Sequence, residues 1–348
     1  MPYPVVEQPI VPQAAPPPPV APPVVTPPEG RATERSEGWI GKVLAVAGVA
    51  VTLIGVVLLL VLAAQAGIFR PEARVVAGAV LAGGLVATAT WLHRRPGGRV
   101  GAIALAATGV AAAYMDVIAV TTIYDWVAAP LGLALAAVVG GGGLLLARRW
   151  NSEHLGLLVL VPLICLAPVV TDGVTLLLIG FMLALAAASL PVQFGRDWIW
   201  LHAARTAASA LPLLIALAVA AFTNRENVGM VGVNFAIPVA AVLALAGGLA
   251  LLRWSAKPAA IAVLTAVGVV PLLCVSPAAD RLVATLMITA LAAALFAVVA
   301  IGDRLPGVTP EVRLVWSALS AVAALTAVTV AFDRMVAGPV LSAMAIVI

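Results

Sequence analysis

Runs of about 20 apolar residues follow one another along the chain after residue 36, and they constrain the fold more than any other feature. A run of this length is what an α-helix needs to cross a hydrocarbon core about 30 Å thick. Only 10% of the residues are charged and 63% are hydrophobic, which is too little polar surface for a water-soluble globule. The sequence therefore predicts an all-α fold, a polytopic bundle of transmembrane helices.

Helices are favoured over strands because these runs are apolar on every side, whereas membrane-spanning strands alternate polar and apolar residues. Helices also satisfy their own backbone hydrogen bonds in lipid. We predict eleven spans, at about 43–66, 74–92, 100–122, 128–147, 154–170, 174–192, 202–222, 232–252, 258–275, 283–301 and 313–331. A twelfth apolar run begins near Ala337 and continues to the last residue of the sequence, Ile348, which makes it too short to cross a membrane. We therefore expect a truncated span, with a C-terminal portion missing.

The first 36 residues differ from the rest, because they hold 12 of the 26 prolines and little that could form a core. This composition predicts a disordered, proline-rich cytoplasmic tail ahead of a transmembrane domain at 37–348. The tail lacks the basic and apolar regions of a signal peptide. We expect a passive tail, with a ligand for a proline-reading partner as the alternative.

A short segment, residues 161–168, recurs at residues 270–277, and the chain's only two cysteines occupy the same place in the two copies. The cysteines are 109 residues apart, and a Gly-Gly-Leu sequence that runs into arginine precedes each copy. We interpret this as a tandem duplication with repeat units at about 128–222 and 232–331. Each unit contains four helices, so the copies share one orientation in the membrane.

Basic residues are distributed unevenly between the two ends of the predicted helices. Placing the N-terminal tail and every second loop on one side collects 14 of the 19 basic residues there and leaves 5 on the other. Because basic residues of short loops stay in the cytoplasm, we predict a cytoplasmic N terminus in a bacterial inner membrane. His93, His154 and His202 fall singly in or beside these loops, so we expect plain interfacial residues and neither a metal nor another cofactor.

Four sequence features carry a resemblance to a known family. The first is Trp39-Ile40-Gly41-Lys42, at the entry to the first helix, and three more lie downstream. These are Arg74 opening the second helix, Arg94-Arg95 closing it, and Asn151-Ser152-Glu153-His154 after the fourth. With these residues the chain resembles the domain-of-unknown-function 2339 family of bacterial multi-pass membrane proteins, over about residues 37–348. The resemblance implies a membrane location and this architecture, and it transfers no catalytic residue.

Signatures of enzymes are absent from the sequence. It contains no phosphate-binding glycine loop followed by lysine, no paired-histidine metal motif and no Gly-x-Ser-x-Gly sequence. The four consecutive glycines at 140–143 lie inside a predicted helix, where small residues allow close helix packing. Basic residues form no stripe that would bind nucleic acid. We therefore expect no enzyme activity, with a membrane enzyme acting on a lipid-linked substrate as a third hypothesis.

Asp116 is the one acidic residue in the interior of a predicted span. It follows Arg99 by 17 residues, which places it about 25 Å along its helix, in the outer part of the membrane. An aspartate at a helix centre costs about 2.5 to 3.5 kcal/mol, so this side chain should face the bundle or water. Two hypotheses stay open: a residue near the interface that reaches water or Tyr124, or part of a proton or cation pathway.

The repeated segments are the second candidate site, because two prolines are predicted to interrupt each short helix. Proline removes a backbone hydrogen bond, and interrupted spans at matching positions of two repeats are typical of a transporter's binding site. Inherited packing kinks are the competing hypothesis. The candidate residues for a substrate or ion pathway are Asp116, Pro162, Cys165, Pro168, Pro271, Cys274 and Pro277.

These patterns favour a carrier or flippase-like factor for a small or lipidic molecule. The alternative is a non-catalytic membrane scaffold that holds envelope-assembly partners through its proline-rich tail. The partners expected are the lipid bilayer and, through the tail, envelope proteins, with no nucleic acid.

Overall fold

A computed structural model describes residues 70–222 and 230–332, together with Val51, Gly55 and Leu58, which are helical. The two long ranges belong to the second of two compact units, Phe69–Ile348. The predicted tail, the Trp39-Ile40-Gly41-Lys42 entry, most of the first span and the run that starts near Ala337 lie outside the described residues.

The described ranges fold into ten α-helices and contain no strand, which confirms the predicted all-α class. The helices are α1 (Pro71–His93), α2 (Arg99–Ile118), α3 (Ala129–Arg149), α4 (Glu153–Val170), α5 (Leu176–Gln193), α6 (Ile199–Phe222), α7 (Met230–Leu252), α8 (Pro258–Leu273), α9 (Arg281–Ala300) and α10 (Pro310–Ala331). Within these ranges, nine helices are long and apolar enough to span a membrane, and α8, with 16 residues, is shorter.

Local sequence signals set where the helices begin. The side chains of Ser152, Thr175 and Thr309 accept hydrogen bonds from backbone N–H groups in the first turns of α4, α5 and α10. These bonds satisfy donors that have no partner inside the helix. Proline occupies the first turn of α1, α3, α8 and α10, where its missing N–H costs nothing.

Polar contacts join the loops at one end of the bundle, which we call the basic end and which consists of residues 94–98, 150–152, 194–198, 253–257 and 301–309. Arg99 donates to the carbonyls of Trp150 and Asn151. Glu153 accepts hydrogen bonds from two backbone N–H groups at the start of α6. These bonds tie the loop before α4 to α2 and to α6.

Consecutive helices pack side by side, and further contacts follow one pattern. Within the part described, α3 packs on α4 and α5 on α6, while α7 packs on α8 and α9 on α10. Helix α4 also packs on α6, and α8 on α10. Small residues lie where two helices approach closely, because lipid provides no hydrophobic drive between helices and close packing must hold them together. Gly143 lies against Val159, and Gly248 lies against Thr265.

Helix α8 differs from its prediction at its C-terminal end. The prediction that two prolines interrupt this helix is wrong at Pro277, because α8 ends at Leu273 and Cys274 forms its C-cap. In α4 both prolines lie inside the helix, which continues to Val170. A proline disfavours helical geometry in the residue before it. That residue is Ala167 in α4 and Ser276 after α8, and alanine, the strongest helix former, favours a helix there more than serine does.

Candidate functional site

A groove of about 590 Å³ runs between α1 and α3, with α2 behind it. Its walls are formed almost wholly by valine, alanine, glycine and leucine side chains of these three helices. Asp116, near the end of α2, is the one ionisable residue of the lining. A carboxylate is therefore placed at the wall of an apolar groove inside a bundle of membrane-spanning length.

The Asp116 side chain is half-buried and packs directly on α1. A Cβ atom added to Gly78 would overlap the carboxylate, so the glycine provides the space that the side chain occupies. The Oδ2 atom is buried and receives no hydrogen bond from the described part of the chain. Tyr124 stacks instead on Trp126, with ring centroids 4.9 Å apart, so the predicted contact with Tyr124 is not formed.

The backbone changes its geometry three residues after Asp116. Residues Ala119–Ile123 form a π-helical turn that continues α2. The hydroxyl of Thr121 donates to the carbonyl of Val117 at 2.6 Å, and a Cβ on Gly132 would overlap the same threonine. π-Helical turns are rare and occur frequently at functional sites. This turn was not predicted from the sequence.

Tyr114 links the groove helix α2 to the kinked helix α4. Its hydroxyl, buried in the core, donates to the carbonyl of Val159 at 3.1 Å. In a regular helix the carbonyl of the preceding residue, Leu158, would accept a hydrogen bond from the N–H of residue 162. Residue 162 is a proline, which has no N–H. Gly140 gives room for the tyrosine hydroxyl, in agreement with the packing role predicted for the glycine run.

The residues of the repeated segments lie apart from the groove, since none of them lines it. Cys165 and Cys274 are both exposed on the surface of the bundle. Pro162 and Pro168 are half-buried, Pro271 is buried, and Pro277 is half-buried in the turn after α8. The structure therefore does not gather the kinks and Asp116 into one site.

A second cavity, of about 420 Å³, lies at the basic end between α1 and α3. It is lined by Thr90, His93, Arg94, Leu146, Arg149 and Trp150. The His93 ring stacks on Trp150 with centroids 4.3 Å apart and planes 8° apart. We call this the basic cavity.

Sequence reasoning missed a buried polar cluster on α6. His202, predicted to be interfacial, is fully buried, and Arg205 is 3% exposed although it was counted among the 14 basic residues of the cytoplasmic side. The Arg205 Nη2 atom lies 2.7 Å from His202 Nδ1, and the guanidinium packs on Gly247. Thr206 and Ser209 extend the cluster. These four residues are spaced at i, i+3, i+4 and i+7, which is the signal that could have revealed a common face.

The described residues contain no group of three or more histidine, cysteine, aspartate or glutamate side chains that could hold a metal ion. The chemistry available in the groove is therefore that of one carboxylate in an apolar wall, and in the basic cavity that of arginine and histidine.

Comparison with known proteins places the chain in a family. A family model described as "Predicted membrane protein (DUF2339)" matches residues 40–348. No curated protein and no solved structure shows a significant match. The match spans most of the chain and agrees with a bundle of apolar helices, so the protein belongs to the domain-of-unknown-function 2339 family of predicted membrane proteins.

Proposed function

We propose that this membrane protein is a carrier or flippase-like factor for an amphiphilic molecule, and that the groove between α1 and α3 receives that molecule. The observation that carries the proposal is Asp116, whose Oδ2 atom is buried without a hydrogen-bond donor among the described residues on the wall of an apolar groove. Ionisable residues inside a membrane are costly, and they mark substrate, ion or proton pathways more often than packing positions.

The surroundings of Asp116 support a role beyond packing. Gly78 leaves the space that the carboxylate occupies, and the helix changes to a π-helical turn at Ala119–Ile123, shortly after this residue. The groove is of the size typical of small-molecule sites, which run from about 300 to 1,000 Å³ and are mostly apolar with few polar groups. Protonation of a carboxylate in this position would remove its charge, so a proton is the simplest coupling ion.

The tandem repeat is part of the same proposal. Helices α3–α6 and α7–α10 have similar lengths in order, and α3–α4, α5–α6 and α4–α6 contacts recur as α7–α8, α9–α10 and α8–α10 contacts. Helices α1 and α2 then correspond to the last two helices of an earlier unit, because α2 packs on α3 and α4 as α6 packs on α7 and α8. Carriers built from parallel repeats bind their substrates at interfaces between such units.

The orientation follows from charge. Among the described residues, the basic end and the helix turns next to it carry Arg94, Arg95, Arg99, Arg148, Arg149, Arg196, Arg253, Lys257, Arg304 and Arg313. By the positive-inside rule we place this end in the cytoplasm of a bacterial cell, with the N terminus on the same side. Asp116 then lies toward the outer leaflet, at the other end of α2.

The test is transport by the full chain reconstituted in phosphatidylcholine vesicles, with a fluorescent lipid whose movement between leaflets is followed by quenching. We expect Asp116→Asn to change the transport rate about tenfold, equivalent to ~1.4 kcal/mol on the barrier. Asp125→Asn is the matched control, because Asp125 is exposed, lies nine residues further along and has a positive φ of 51°, which asparagine also adopts.

The outcomes separate the hypotheses. Equal rates for wild type, Asp116→Asn and protein-free vesicles would overturn the carrier proposal. If deletion of residues 1–36 then abolished the cellular phenotype while the bundle still inserted, the scaffold alternative would replace it.

A further inference from the structure

The apolar groove and the basic cavity adjoin each other along α1 and α3, and we treat them together as one cleft. On α1 the groove ends at Val86, and the cavity begins one turn later at Thr90. On α3 the two share Leu146, and Arg149 follows by three residues. The lining of α3 from Leu135 to Arg149 is about 21 Å long at 1.5 Å per residue. One mouth of the cleft is therefore cationic, and the rest of its length is hydrocarbon-like.

The charges at the cationic mouth are not used by the fold. Arg94 and Arg149 are exposed and form no hydrogen bond or ion pair within the described ranges. Their sequence neighbours are engaged elsewhere: the Arg95 guanidinium stacks over Trp91 at 3.8 Å, and Arg148 donates to the carbonyl of Pro191. The His93 Nδ1 atom is buried beside the cavity without a partner among the described residues. The cavity thus offers several donors and, unlike the groove, no carboxylate.

The chemistry of such a mouth selects an anionic head. Arginine binds phosphate through paired N–H donors, and basic pockets between transmembrane helices at the cytoplasmic side bind anionic lipid headgroups. Both helices end at this mouth with their C-termini, whose partial charge is negative, so the arginine side chains must supply the attraction. Trp150, stacked on His93, provides the aromatic surface that is typical of the membrane interface.

We infer that the cleft binds a lipid with a phosphate headgroup, with the phosphate between Arg94 and Arg149 and the hydrocarbon chain along the α1–α3 groove. The inference rests on the proposed function and names the substrate class of that site. A lipid fits because it brings an anion and a long apolar chain together in one molecule.

The predicted span at about 43–66 is the competing occupant of the groove. It contains no acidic residue, and Lys42 immediately before it would bring a further positive charge to the same end of the bundle. A helix from this segment would cover the apolar walls and leave Arg94 and Arg149 without an anion. Charge complementarity therefore favours the lipid.

The test is native mass spectrometry of the full chain in neutral detergent with added dioleoyl phosphatidic acid, which counts bound lipids. We expect Arg94→Gln and Arg149→Gln each to weaken binding about tenfold, because each removes a charged donor to the phosphate. Arg95→Gln, one residue away and outside the cleft, should bind as the wild type does. The lipid-free melting temperature of each variant checks folding, and it should not change because neither side chain bonds to another described residue.

Three results would overturn the inference. Equal weakening by Arg95→Gln would mean diffuse attraction to the basic end. Equal binding of zwitterionic phosphatidylcholine, or full displacement by an equal concentration of inorganic phosphate, would mean that an anionic phosphate lipid is not selected. In a chain with Cys165 and Cys274 replaced by serine, rapid disulfide formation between Leu58→Cys and Val86→Cys that persists with phosphatidic acid would show the 43–66 segment in the groove. If Arg94→Gln lost lipid binding but kept the transport rate, the lipid site would still be supported. It would then not be part of the proposed carrier function.

Discussion

The region formed by α1, α2 and α3 and the region formed by α5, α6 and α7 have the same plan, yet one is open and the other closed. In each, the middle helix packs on both of its neighbours. Helix α5 also packs directly on α7, where Leu176 lies against Gly232, whereas α1 and α3 have no comparable contact and the groove separates them. One arrangement of helices therefore provides a sealed core at one place and a cleft at another.

The polar residues of the two regions follow this difference. In the closed region the middle helix buries His202 and Arg205 against each other and against Gly247. In the open region the middle helix carries Asp116, whose buried oxygen has no donor among the described residues. His202 Nε2 and Arg205 Nε are also buried without a partner among the described residues, but neither residue lines the groove, whereas Asp116 does. On this comparison we propose the open region as the place of the ligand site.

The largest expected difference between the two regions is the cost of shortening a large side chain. Ile237 of α7 is fully buried in the closed region, while Leu135 of α3 is 46% exposed at the groove. We expect Ile237→Ala to lower the free energy of unfolding by about 2 to 3 kcal/mol, the lower part of the soluble range, because lipid removes part of the hydrophobic term. We expect Leu135→Ala to cost less than about 1 kcal/mol.

Unfolding of the purified chain by sodium dodecyl sulfate in mixed micelles measures both variants. A loss at Leu135 as large as that at Ile237 would show that protein covers the groove wall in the native state, and the contrast between open and closed regions would fail.

A smaller effect is expected from the pair on α6. Removing the imidazole in His202→Ala leaves the buried Arg205 without its side-chain partner, which should cost about 1 to 3 kcal/mol. Arg205→Met removes the buried charge, which offsets part of the cost of leaving His202 without its partner, so we expect a smaller loss than for His202→Ala. In the double variant His202→Ala/Arg205→Met the cost of losing the histidine should largely disappear.

The double-mutant cycle is measured by the same unfolding assay. Additive losses would show that the two side chains are not coupled, and the closed region would then not be held by this pair. Coupled residues in one hydrogen-bonded pair give interaction energies of about 0.5 to 3 kcal/mol.

Much of this architecture could be predicted from the sequence, because apolar length alone determines a membrane-spanning helix. Ten of the eleven predicted spans coincide with described helices, and Asp116 was identified because an acid in an apolar run is rare. The groove itself could not be predicted, since helices that are apolar on all sides carry little information on which faces meet. The same absence of a polar face led to the wrong placement of His202 and Arg205, whose common spacing inside α6 was visible but not used.

The repeated prolines and cysteines illustrate the opposite error. They were predicted as a candidate site because they form a visible pattern, but their location in the structure does not support a shared site. Their spacing of 109 residues remains a guide to the repeat. Both cysteines are nevertheless exposed, and none of the six residues lines the groove. A sequence repeat reports shared ancestry of two segments, and it does not report which face of the helix they occupy.

The smallest expected effect concerns the contact between Gly78 and Asp116, and it tests whether the open region holds its carboxylate through shape. A methyl group at residue 78 would overlap the carboxylate, and such overpacking costs about 1 to 3 kcal/mol. Alanine also stabilises a helix relative to glycine by about 1 kcal/mol. We therefore expect Gly78→Ala to lower the free energy of unfolding by about 1 kcal/mol in the wild type. With Asp116→Ala present, the overlap is gone and the same change should be neutral or stabilising.

Gly84→Ala provides the matched control, because Gly84 lies on the same helix with no atom within 4 Å of an added Cβ. It should stabilise the protein to the same degree in both backgrounds, since only helix propensity changes. If Gly78→Ala is as favourable as Gly84→Ala in the wild type, the carboxylate is free to move away from α1. Asp116 would then be a mobile group in the groove, positioned by its ligand and not by Gly78.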